Sequence, residues 1–133
     1  MRGVIMNCYV ESGIHILNDT TKDLENLNEL GIYLARGTNI DALKSLKLIV
    51  LASETKLLEK SFDINYVKTY TNSFENSIYK RNETVFGNLA VNPQNFGLEL
   101  ADYILHNYKV DLGIEPFTSG YTIFDFWARS FAR

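Results

Sequence analysis

Between Phe117 and Phe131 the chain carries six large rings: Phe117, Tyr121, Phe124, Phe126, Trp127 and Phe131. Each ring takes on the order of 150 to 250 Å² out of water when it is buried, so this stretch folds against the body of its own domain or against a partner. Glu115-Pro116 forces extended backbone just upstream, and Thr122 offers a cap for a closing helix. On that helix Ile123, Phe124, Trp127, Ala128 and Phe131 share one face, which is expected to turn inward. Phe126 falls on the other side with Asp125, Arg129 and Arg133. Aromatic rings left over from a core, set beside Arg and Asp, have the composition of a protein-recognition hot spot. Tyr121, Asp125, Phe126 and Arg129 are therefore expected to be binding residues, with Phe117 in the preceding loop.

Length and charge narrow the rest. A chain of 133 residues is the size of one domain and buries roughly two thirds of its unfolded surface on folding. No linker, internal repeat or low-complexity tract divides it, so residues 1–133 read as a single globular domain. Thirteen Lys and Arg stand against sixteen Asp and Glu, a formal charge of -3, with no basic run. Nucleic-acid binding needs clustered cations, so the charge argues against it and in favour of a basic protein partner. Cys8 is the only cysteine and has no partner for a disulfide within the chain. The longest apolar run, Leu48 to Ala52, is far below the roughly 18 residues of a membrane span, and Met1 to Leu17 lacks the pattern of a secretion signal. A cytoplasmic protein with no membrane contact is expected.

Along the chain, Val4 to Val10, the turn at Ser12-Gly13 and Ile14 to Leu17 predict an opening hairpin. Leu24, Leu27, Leu30 and Leu34 recur at helical spacing after the cap candidates Asn18 to Thr21, and Gly37 closes that helix. A short helical turn follows from Asn39. Leu48 to Ala52 runs apolar without alternation and predicts a central strand covered on both faces. Ser53 caps a short helix through Lys60 with Leu57 and Leu58 turned inward, and Ile64 to Thr71 reads as a strand. The polar stretch from Thr71 to Glu83 predicts an exposed loop or weak helix. After Val85 to Val91, Asn92-Pro93 starts a helix whose apolar face is Phe96, Leu100, Tyr103, Ile104 and Tyr108. The expected fold class is α/β, or α+β: a layered single domain with a mixed sheet of four to five strands, packed helices, and a C-terminal aromatic helix.

Three groups of reactive side chains need a chemical reading. Glu99, Asp102, His106 and Lys109 stand at spacings of three, four and three, as one polar stripe on the helix after Pro93. That stripe is what the solvent side of an amphipathic helix provides, and its carboxylates also suit contact with a basic partner. It is equally the one set of residues able to support acid/base or metal-assisted chemistry in a small enzyme. Cys8 with His15 or His106 resembles a thiol and its base in residue type alone, and Cys8 sits among apolar neighbours that favour a core role. Gly31, Gly37, Ser12-Gly13 and Ser119-Gly120 fit neither a phosphate-cradling loop nor a hydrolase elbow. The sequence thus nominates no catalytic residue, no metal ligand and no cofactor.

Together these readings predict a non-enzymatic cytoplasmic protein-binding domain that occludes a partner, for example an immunity or antitoxin-like inhibitor of a basic toxin or enzyme. Its expected binding residues are Glu99, Asp102, His106, Tyr121, Asp125, Phe126 and Arg129. The alternative is a small enzyme that uses Glu99, Asp102 and His106. A third reading has the aromatic terminus forming a homodimer.

Overall fold

Polar caps place several of the helix starts in this protein. Asn39 Oδ1 accepts from Asp41 N at 2.7 Å, and Thr84 Oγ1 accepts from Gly87 N at 2.9 Å, so each supplies one of the donors a helix leaves unpaired at its first turn. Thr122 and Asp125 work in the opposite sense: the Asp125 carboxylate reaches back to Thr122 N at 2.8 Å, as in a capping box. The computed structural model describes residues 8–92, 94–116 and 121–131. In chain order the elements are α1 (Cys8–Thr20), α2 (Asn28–Ala35), α3 (Ile40–Ala52), β1 (Lys68–Phe74), β2 (Ser77–Glu83), α4 (Val85–Ala90), α5 (Asn95–Asn107) and α6 (Ile123–Phe131).

Helix and strand are segregated, so the class is α+β. The two strands form one antiparallel ribbon, paired from Lys68↔Glu83 to Phe74↔Ser77. A sheet of four to five strands is not formed by the described residues. Glu75 and Asn76 both have positive φ, 48° and 67°, as a two-residue turn matching the twist of a hairpin demands. The ribbon replaces the loop expected over Thr71 to Glu83. Asn72, Ser73, Ser77, Ile78 and Lys80 near the turn are exposed, so the polar residues that prompted a loop stand on a strand's open surface.

Other expectations are corrected. Cys8 to Leu17 is helical throughout, because Val10, Ile14 and Leu17 sit one turn apart and Gly13 lets α1 approach Leu48 closely. A Cβ at Gly13 would lie 2.9 Å from Leu48 Cδ2. The apolar run Leu48 to Ala52 is the last part of α3, not a strand; Leu43, Leu46, Ile49 and Val50 are buried at helical spacing. Val85 to Ala90 is likewise a buried helix. Residues 53–67 form an irregular strap instead of a short helix and an early strand, and Leu57 is exposed while Ile64 enters the core. Side-chain amides hold the strap in place: Asn18 bonds Leu57 O and Glu59 N, Asn28 bonds Asp63 N, and Asn65 bonds Lys109 O and Asp111 N. The second helix starts only at Asn28, which leaves Leu24 in an exposed turn.

The two helices expected in the second half are present. On α5, Leu100, Ala101 and Ile104 are buried, and Tyr108 O–H donates to Val50 O at 3.0 Å. Asn92 is not the cap of α5. It is buried, donates from Nδ2 to Ala35 O and Gly37 O, both at 2.9 Å, and accepts from Gln94 N. The hydrophobic cluster gathers Ile32, Leu43, Leu46, Val50, Phe86 and Ile104. At its centre α4 packs against α2, α5 and α6. A Cβ at Gly87 would lie 3.3 Å from Ile123 Cδ1 and 3.0 Å from Thr84 Oγ1, so this residue seats α6 directly on the backbone of α4.

Candidate functional site

A partly enclosed polar cluster sits where α2, β2, α4 and α6 meet. Arg36 ends α2, Glu83 ends β2, and Arg81 lies two residues before Glu83 on the same side of the ribbon. Glu83 has only 8% of its side chain exposed. Its Oε1 accepts from Asn88 Nδ2 at 3.3 Å and stands 3.5 Å from Arg36 Nε, while Arg81 Nη2 lies 3.7 Å from Oε2. Two guanidinium groups therefore share one buried carboxylate. Each continues into a ring: Arg36 lies over Tyr33 at 5.7 Å, and Arg81 over its cross-strand neighbour Tyr70 at 4.4 Å. Lys68 lies over the same Tyr70 ring and hydrogen-bonds Glu29, which raises the Lys68 ammonium above its ordinary range. Charges of alternating sign thus run from α2 across the ribbon.

Beside this ladder is a cavity of about 150 Å³, lined by the charged Arg36, Arg81 and Glu83 and by the apolar Val91, Pro116 and Phe126. Pro116 is fixed against β2, because Asn82 N donates to Pro116 O at 2.8 Å and Asn82 Nδ2 to Glu115 O at 2.9 Å. Two buried atoms in the cluster, Arg81 Nε and Glu83 Oε2, have no hydrogen-bond partner. A broader, shallower depression of about 540 Å³ lies along α1, where Glu11, Ser12, His15 and Asn18 face Leu57 and Glu59 of the strap. Its Asn18 is already spent on holding that strap.

The residues nominated from the sequence fall into separate groups. Glu99, Asp102 and His106 lie along α5 as one stripe. Glu99 borders a hollow of about 90 Å³ with Lys47, Phe96 and Tyr103, whose walls include neither Asp102 nor His106. His106 Nδ1 is 2.8 Å from Asp102 O and 3.4 Å from Asp102 Oδ1, so the imidazole is tied to its own helix. Among the described residues no group of three or more His, Cys, Asp and Glu side chains is arranged to hold a metal ion. Cys8 and His15 occupy one helix seven residues apart, about 10 Å along its axis, beyond direct proton transfer. The side chain of Cys8 lies outside the described residues.

On α6 the carboxylate of Asp125 caps the helix, and Arg129 stacks over Tyr121 at 4.9 Å. Phe126 walls the cavity. Phe124 and Ala128, expected inside, are exposed, Phe124 at 49%. At about 100° per residue the buried stripe runs through Ile123, Trp127 and Phe126, which leaves positions 124 and 128 on its flank. Phe117, Pro93, Ser119-Gly120, Arg133 and the strand expected from Val4 lie outside the described residues, as does the side chain of Phe131.

Sequence reasoning missed Arg36, Arg81 and Glu83. They are far apart in the chain, and only the alternation Arg81, Glu83 at strand spacing, directly before the cap residue Thr84, hints that they share a face. Among the described residues no helix is long and apolar enough to cross a membrane. No protein-family model matches the chain, and comparison with curated proteins and with solved structures finds no significant match to either.

Proposed function

We propose that this chain is a non-enzymatic protein-binding domain that acts by covering a partner, in the manner of an immunity or antitoxin-like inhibitor. The observation that carries this reading is the outer face of α6, where Phe124 is 49% exposed and Tyr121, 48% exposed, lies under Arg129. Aromatic rings stacked with arginine on an open face lose little entropy on contact and supply the anchors typical of interfaces. Tyr33 under Arg36 repeats the pairing on α2. The net charge of -3 favours encounter with a basic protein, and the stripe of Glu99 and Asp102 adds to that field.

The test starts with a photo-crosslinking residue at position 124 in cells of the source. It is expected to trap one protein whose activity the purified chain suppresses at a one-to-one ratio. Phe124→Ala combined with Arg129→Glu is expected to weaken that complex by about 100-fold or more with an unchanged melting curve, since anchor residues are worth about 2 kcal/mol or more each. Full activity of the trapped protein under saturating chain would refute occlusion. Equal affinity of variant and parent would refute the α6 face.

A further inference from the structure

We propose that the cavity between Arg36, Arg81 and Phe126 binds a short aliphatic carboxylate, with its carboxylate on the two guanidinium groups and its apolar body against Val91, Pro116 and Phe126. The cluster is one negative charge short: two arginines face one carboxylate, and that carboxylate is nearly fully buried. Arg36 and Arg81 keep 44% and 42% of their side chains exposed, so both still present N–H groups to a guest. Arginine pairs carboxylates through parallel, charge-assisted bonds that are roughly twice as strong as neutral ones. Glu83 is the positioning residue, since it holds both guanidinium groups at the same wall.

Arg81 Nε is a buried donor without a hydrogen-bond partner, so the cluster's single carboxylate does not satisfy this guanidinium. The same lining includes the apolar Val91, Pro116 and Phe126, and Val91 is more than half exposed. A volume of about 150 Å³ is that of a cavity able to hold one benzene-sized body, which limits the guest to a carbon skeleton of about six atoms. A free branched-chain acid and the C-terminal residue of a peptide share this chemistry.

The proposal is independent of what α6 covers, and its test uses the full chain with 4-methylpentanoate as probe. In amide NMR titrations this acid is expected to shift Gly87, Asn88 and Val91 saturably. The neutral 4-methylpentanamide is expected to bind at least about tenfold more weakly, the loss of one charge-assisted contact. Arg36→Gln and Val91→Asp, both at half-exposed positions, are expected to lower acid affinity by about tenfold or more while the remaining amide spectrum is retained. Acetyl-Gly-Gly-Leu with a free terminus, compared with its amidated form, then separates the sources: tighter binding than the free acid identifies a chain terminus, weaker binding a small molecule. The proposal is overturned if the amide binds as tightly as the acid, if the acid produces no saturable shift at those three amides, or if both variants bind like the parent.

Discussion

Single polar side chains do much of the joining in this molecule, and Asn92 shows why such a residue is not interchangeable. Its amide satisfies the carbonyls of Ala35 and Gly37 at the end of α2 while its oxygen receives Gln94 N before α5. Asn92→Ala leaves those buried carbonyls unpaired, and about 2 kcal/mol of stability is expected to be lost in urea titration. Tyr108 is a different case. Burial pushes its phenol above the ordinary value near 10, since the phenolate is poorly solvated there. The folded state therefore holds this proton after the unfolded chain has released it. Stability conferred by Tyr108 is complete below about pH 10 and falls as pH rises beyond it. Tyr108→Phe is expected to cost about 1 kcal/mol at neutral pH, through the lost bond to Val50 O, and to flatten the alkaline decline.

Among the elements, α6 is the one whose loss would be felt first. Its first amides are satisfied from outside the helix: Ile123 N donates to Ile114 O at 2.8 Å, and Phe124 N to Leu112 O at 3.2 Å. Trp127 packs against the core cluster. Trp127→Ala is expected to remove about 3 kcal/mol, visible as a melting temperature lowered by roughly 10 °C. This helix and α5 were legible as helices because their apolar residues recur every three or four positions, although Asn92 does not cap α5 and Phe124 and Ala128 turn outward. Leu48 to Ala52 and Val85 to Ala90 were not, for a physical reason: a short, largely buried segment is apolar on most sides, so its spacing carries no clear period. Thr84 ahead of Val85 is the residue that distinguishes the helix, since its hydroxyl caps Gly87 N. The ribbon was hidden by the opposite condition, exposed polar residues near its turn. Of the candidate site, Phe126 was expected outside the core stripe but lies on it, half-buried in the cavity wall, and the Arg36, Glu83 and Arg81 cluster exists only once α2 lies beside β2.

For the whole molecule, stability is distributed unevenly between a helical body and a polar ribbon. The core passes through α3, α4 and α5, while the side chains described near the turn of β1 and β2, among them Asn72, Ser73, Ile78 and Lys80, are exposed. A two-stranded ribbon is marginal on its own, so its distal half is expected to open well below the global unfolding free energy. Hydrogen exchange would show this as fast amides over Asn72 to Lys80 and the slowest amides over Leu46 to Val50 and Phe86 to Ala90. Uniform protection across both regions would contradict the division. Arg81 and Glu83, at the ribbon's base, belong to the slow side of that boundary, since Glu83 is clasped by α2 and α4. Gly87 then sets the gauge of everything beside it. Any atom added there would act as a shim under Ile123, tilting α6 and carrying Phe126 away from the arginines. The aperture between ring and guanidinium is thus tied to a single glycine hydrogen in the helix that forms part of its wall.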